Sequence, residues 1–159
     1  MIQATREANF NAYIETEAQR IDTTVASTQI RHLVKFINDL DGAVFYAYAR
    51  VETIYDRYTE LNFDYNIVPD RYLGLLDLVP AGYFKYELYE VSWIGAVTIS
   101  GLTAPKNETH VLPVLPTNGV VQGLVAIGKL YLAEKSGSEE VQYTEYEPPA
   151  STNTIYYGQ

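Results

Sequence analysis

The chain has no cysteine, and it carries one methionine, one tryptophan and two histidines among its 159 residues. Without cysteine there is no disulfide staple, thiol nucleophile or zinc-thiolate centre, so stability has to come from an apolar core or from assembly. Basic residues are scarce as well. Eleven Lys and Arg stand against 20 Asp and Glu, and the net charge of -9 opposes non-specific attraction to nucleic acid or to anionic lipid. No nucleic-acid partner and no membrane partner is expected. No uninterrupted apolar stretch approaches the roughly 18 residues that a membrane helix needs. The opening MIQATREANFNAYIETE carries acids and amides where a secretory signal carries an apolar stretch, so no cleavable signal is expected there.

What is present is hydrophobicity of 47%, enough to make disorder of the whole chain untenable, in a length that suits one domain. Its pattern has period two. Leu61, Phe63, Tyr65 and Ile67 alternate with Glu60, Asn62, Asp64 and Asn66, which puts one face in a core and the other in water. Ile30 to Ile37 and Ala43 to Val51 are rich in Val, Ile, Phe and Tyr, and Asn38-Asp39-Leu40-Asp41-Gly42 between them has turn chemistry, so the two read as a hairpin. Pro80-Ala81-Gly82 between Leu73–Val79 and Tyr83–Ile94 suggests a second hairpin. Val120–Ile127, Lys129–Glu134, Val141–Tyr146 and Thr154–Tyr157 read as four further strands, the first two separated at Gly128. The exception is Val51, Ile54, Tyr55 and Tyr58, whose i, i+3, i+4, i+7 spacing predicts a short helix.

Many short strands without intervening helices predict an all-β fold: a single antiparallel β-sandwich, Ig-like or jelly-roll-like, over residues 29–159. Residues 1–28 are polar and weakly patterned, and read as an N-terminal arm or edge strand. Residues 100–118 contain Pro105, Pro113 and Pro116 and no durable alternation. They read as a long loop over the surface or against a neighbour, whose Val111, Leu112, Val114 and Leu115 are candidate interface residues.

Residues with chemical potential are few. His32 shares the strand alternation of Ile30, Val34 and Phe36, while His110 falls in the proline-containing loop, and neither has converging partners in the sequence. Ser100 lacks the glycine two residues earlier that a nucleophile elbow needs. Asp39-Leu40-Asp41-Gly42 has the spaced carboxylates of a calcium loop but lacks its downstream glutamate, so it reads as a turn. Gly119, Gly123 and Gly128 do not have the spacing of a phosphate cradle. No catalytic residue, metal ligand or cofactor is therefore assigned, and no enzyme is expected. The 15 tyrosines are open to three readings: core and strand faces, half-buried subunit interfaces, or stacking on sugars.

The successive segments Leu33-Val34-Lys35-Phe36-Ile37-Asn38-Asp39, Gly82-Tyr83-Phe84-Lys85-Tyr86-Glu87-Leu88-Tyr89-Glu90, Gly128-Lys129-Leu130-Tyr131-Leu132, Glu140-Val141-Gln142-Tyr143 and Ile155-Tyr156-Tyr157-Gly158 resemble small β-sandwich accessory virion proteins of tailed bacteriophages. The resemblance spans residues 30 to 159 and rests on strand patterns. It implies a structural subunit of head, neck or tail, located in the virion and present in many copies. Its partners would be other copies and major capsid, portal, neck or tail proteins. It also adds Tyr156 and Tyr157 to the candidate interface residues. The alternative is a carbohydrate-binding module or adhesin tip that uses Trp93 and exposed tyrosines as stacking platforms.

Overall fold

The strand with the cleanest alternation, β6 (Thr59–Tyr65), has its expected register as far as Phe63: Leu61 and Phe63 are buried while Asn62 and Asp64 are not, but Tyr65 is only half-buried and Ile67, expected on the same face, lies past the strand end and is exposed. The computed structural model describes residues 1–137, and these are all-β. The other strands are β1 (Ile2–Thr5), β2 (Phe10–Ile14), β3 (Ile30–Asn38), β4 (Val44–Tyr48), β5 (Val51–Ile54), β7 (Leu75–Leu76), β8 (Gly82–Ser92) and β9 (Val120–Ala133). The segments 141–146 and 154–157, expected as strands, lie outside the described residues.

The strands form two sheets. One runs in the order β1-β9-β8-β3-β4; the other runs β2-β6-β5, with β7 beside β6. Most neighbours are antiparallel, but β1 lies parallel to β9 and β7 parallel to β6, so both sheets are mixed rather than purely antiparallel as expected. The β3–β4 hairpin forms where its turn chemistry places it. The Asn38 side chain accepts the backbone N–H of Leu40 at 2.7 Å, and Gly42 takes φ 74. Inner faces of both sheets contribute to one buried cluster, in which Phe36 of β3 meets Phe63 of β6 edge-on at 5.7 Å and Phe10 of β2 stacks on Phe63 at 5.2 Å.

Three sequence expectations need correction. Val51, Ile54, Tyr55 and Tyr58 do not form a helix: β5 pairs antiparallel with β6, and Tyr55 N–H donates to the Tyr58 carbonyl at 2.9 Å across a tight turn. The helical spacing was a coincidence of a strand end and a turn, and Val51, Tyr55 and Tyr58 face solvent. Leu73–Val79 makes no hairpin with β8; Leu75–Leu76 lies along β6, and the cis Val79–Pro80 bond precedes β8. Gly128 does not divide two strands either. It lies within β9 because a Cβ there would come within 2.4 Å of the Tyr86 hydroxyl, so the position is reserved for close packing.

The first 14 residues supply an edge strand to each sheet, the edge-strand alternative for this part of the chain. β1 forms one edge of the first sheet and β2 one edge of the second, and Ile2, Ala4, Ala12 and Ile14 are buried in the shared core. Farther along, the backbone N–H groups of Ile21 and Asp22 cap the buried carboxylate of Glu90 at 2.9 and 2.7 Å.

Candidate interaction surface

The long connection from Trp93 to Gly119 lies over the outer face of the first sheet. There Leu33, Tyr48, Val91, Trp93 and Ala104 form a second buried cluster. The connection is tied down by its own sheet and by itself. Tyr48 OH donates to the Pro105 carbonyl at 2.8 Å, Gly119 N–H to Thr103 at 2.7 Å and Gly95 N–H to Pro116 at 2.9 Å. The loop thus lies over the surface as expected, and its own sheet already orders it without a neighbour.

A polar network fastens it further. Lys35 Nζ is 2.6 Å from Glu108 of the loop and 3.4 Å from Glu87 of β8. Tyr46 OH donates to Glu108 at 2.7 Å, while Lys85 and Tyr89 donate to Glu87 at 2.6 and 2.7 Å. These contacts set the titration behaviour. The hydrogen bond to Glu108 holds the Lys35 ammonium above its ordinary range, against the cost of burial. Hydrogen bonds from Lys85 and Tyr89 pull Glu87 down to about 2. For Glu108, burial pushes upward, but the donors Lys35 and Tyr46 outweigh it and leave the carboxyl below its usual value. Burial, followed by the bond to Glu87, pushes Tyr89 up to about 12. Every carboxylate oxygen of Glu87 and Glu108 is engaged, so the network works as a clamp between loop and sheet.

Beyond the clamp the surface is apolar and bare. Of the four loop residues expected at an interface, Val111 and Val114 are 87% and 81% exposed, Leu115 is exposed and Leu112 is half-buried. Val111, Leu112 and Val114 line a cavity of about 140 Å³ together with Val120 and Val121 at the start of β9. Tyr156 and Tyr157 lie outside the described residues.

Strand β9, whose first residues share that cavity, presents further apolar side chains. It bulges against β8 at two places, which lets Val121, Leu124 and Ile127 all take outward positions opposite Val91, Tyr89 and Glu87. Leu124 and Ile127 are exposed. Because β1 pairs only with Leu130 to Ala133 of β9, the far edge of β9 from Val120 to Lys129 has no strand beside it among the described residues. The sequence from Val120 to Gly128 contains no charge and no proline, the two usual protections of an open edge. The bulges are the protection it retains.

The remaining candidates fall elsewhere. His32 is buried in a pair with Glu52 of β5, at 2.7 Å. His110 accepts a hydrogen bond from Lys106 N–H at 3.2 Å. Ser100 shares a hydrogen bond with Thr103 at 2.8 Å in a loop turn. Among the described residues no three His, Asp or Glu side chains are grouped to hold a metal ion. Trp93, expected as an exposed platform, is fully buried. The exposed aromatic side chains that meet one another are instead Tyr83 with Tyr131 and, in a larger group, Tyr13, Tyr55 and Tyr58. The sequence does not reveal the larger group, because the spacing of Tyr55 and Tyr58 reads as helical and Tyr13 falls in a weakly patterned arm or edge strand; the β2–β6 and β5–β6 pairings bring them together. In comparisons with known proteins, the chain matches no family model, no curated protein and no solved structure.

Proposed function

We propose that the protein is a non-enzymatic structural subunit of a tailed bacteriophage virion, a capsid decoration protein or a neck or tail accessory, whose two sheets pack as a β-sandwich. The family comes from the strand sequences described above. The observation that carries an assembly role is the set of exposed apolar side chains, Val111 and Val114 on the loop and Leu124 and Ile127 on β9, beside a strand edge that carries no charge from Val120 to Gly128. Exposed apolar surface of this kind is costly in water and is commonly covered by a partner. In a chain of net charge -9, copies or neighbours can approach most closely where charge is missing. In this reading the partners are further copies and the major capsid, portal or tail proteins.

Mass spectrometry of particles purified from cells that carry the gene should find the protein at a fixed ratio to the major capsid protein. A Val114→Asp, Ile127→Asp double variant should fold with an unchanged thermal midpoint, since both side chains are exposed, yet be depleted from particles at least about tenfold, corresponding to about 1.4 kcal/mol of lost contact. Absence of the wild-type chain from purified particles would overturn the assignment.

A further inference from the structure

The turn between β5 and β6 carries a feature that a virion subunit does not require. Tyr55 and Tyr58 flank Asp56 and Arg57, and β2 contributes Tyr13 from the neighbouring position. The Tyr55 and Tyr58 rings lie 4.9 Å apart with a tilt of 37°, and Tyr13 meets Tyr58 edge-on at 5.7 Å. All three remain open to solvent, at 60%, 44% and 39% exposure for Tyr13, Tyr55 and Tyr58. Two shallow hollows adjoin them. One, of about 410 Å³, is lined by Ile54, Tyr55, Asp56, Arg57 and Tyr58; the other, of about 310 Å³, adds Glu17, Arg20 and Ser27 around the same Ile54, Tyr55 and Asp56.

We infer that this site binds a neutral saccharide unit, with the Tyr55 ring against the sugar and Asp56 and Arg57 on its hydroxyls. A pyranose has an apolar C–H face and a rim of hydroxyls, and it needs an aromatic face and planar polar groups together. Among the described residues, the Asp56 and Arg57 side chains make no hydrogen bond or ion pair, so their capacity is free for a ligand. The local charge is close to even, with Glu17, Asp56 and Glu60, which accepts the Tyr13 hydroxyl at 3.3 Å, against Arg20 and Arg57, although the whole chain stands at -9. A site with so little net charge favours a neutral ligand over an ionic one. The mutual tilt of the rings matters too: they form no flat ledge along which a long polysaccharide could lie, so the site suits one unit or a chain end.

The test is a heteronuclear NMR titration of the full chain with N-acetylglucosamine, galactose and glucose, and with the β-linked tetramer of each. Saturable shifts confined to residues 13, 17–20 and 54–58 are expected with at least one probe. Tyr55→Phe should retain binding, whereas Tyr55→Ala should weaken it about tenfold, the worth of one stacked ring. Arg57→Ala, remote from any packing contact, should weaken binding with the thermal midpoint unchanged. Absence of saturable shifts with every probe, or equal shifts in wild type and Tyr55→Ala, would refute the inference. The titration uses the isolated chain, so its outcome does not depend on the virion assignment.

Discussion

His32 of β3 and Glu52 of β5 meet across the space between the two sheets, with Nδ1 2.7 Å from Oε1 and both side chains almost wholly out of solvent. The second carboxylate oxygen accepts the His32 backbone N–H at 3.0 Å, so one glutamate satisfies two donors of an opposing strand. Removing one partner leaves buried polar groups unpaired, which commonly costs about 3–5 kcal/mol for a buried pair. Glu52→Leu should therefore destabilise strongly in urea unfolding. His32→Leu combined with Glu52→Leu should cost clearly less than the sum of the two single changes. Additive costs would show that the pair does not act as a unit.

Phe63 sits between Phe10 and Phe36 and is almost fully buried. Its replacement by Ala removes ring contacts to both sheets and should cost about 3–5 kcal/mol. Asn62→Ala, one residue away on the opposite face, should change stability by less than about 1 kcal/mol. Similar values at the two positions would contradict the register of β6.

That register was legible because β6 has one face inside and one outside, so the alternation of Leu61 and Phe63 with Asn62 and Asp64 is written locally. The Asn38–Gly42 turn was legible for the same reason. What could not be read is set by contacts distant in sequence. β5 turns an acid inward because His32 waits on another sheet, while its apolar Val51 faces water, so its pattern misleads. Gly128 looks like a break until Tyr86 is seen lying against it. In the first 28 residues, Ile2 with Ala4 and Ala12 with Ile14 do have period two, but alanine is too small to stand out in a polar stretch. Val111 and Val114 could be picked out as apolar residues in a proline-containing loop. The outward placement of Leu124 and Ile127 on β9 depends on two bulges, of which only the one at Gly123 has a mark in the sequence, a glycine inside the strand.

Glu87 gives a pH dependence with a defined sign. Its folded pKa of about 2 lies below the ordinary 4.5, chiefly through hydrogen bonds from Lys85 and Tyr89. A carboxyl depressed in the folded state contributes stability that is fully present above its unfolded pKa and is lost as pH falls through its folded pKa. Glu87→Gln should thus be less stable than wild type at neutral pH by about 1 kcal/mol, in keeping with a partly screened network. The gap should close as pH drops from 4.5 toward 2. A gap that stays constant across that range would show that the charge of Glu87 is not what stabilises.

Two glycines with left-handed backbone separate conformational cost from crowding. Gly42 has φ 74 and open space around it, whereas a Cβ on Gly74, at φ 69, would lie 2.2 Å from the backbone nitrogen of Arg50. Neither side of that contact can readily give way, because Arg50 N–H donates to Asn62 and the Gly74 carbonyl accepts from Asp64, both on β6. Gly42→Ala should cost only about 1 kcal/mol, the left-handed penalty alone. Gly74→Ala should cost well over twice that, in equilibrium unfolding of each variant. Equal costs would mean that the approach of Gly74 to Arg50 relaxes without strain.

The final prediction concerns the amino-terminal residues, which an arm reading would make dispensable for folding. β1 hydrogen-bonds to Leu130–Ala133 of β9, and β2 to Thr59–Phe63 of β6, so each completes one sheet. Ile2, Ala4, Ala12 and Ile14 are all buried, and the Phe10 ring covers Phe63. Removing residues 1–14 would uncover one side of the core and expose two further strand edges at once. At about 25 cal/mol per Å² of apolar surface, losing Ile2, Ile14 and Phe10 alone forfeits roughly 5 kcal/mol, comparable to the whole stability of many domains. The truncated chain should therefore lose its cooperative thermal transition and bind a hydrophobic dye. Ile14→Asn should reproduce part of the loss by placing an unpaired amide in the same core. A truncated chain that melts at the wild-type temperature would return this segment to the role of an accessory arm.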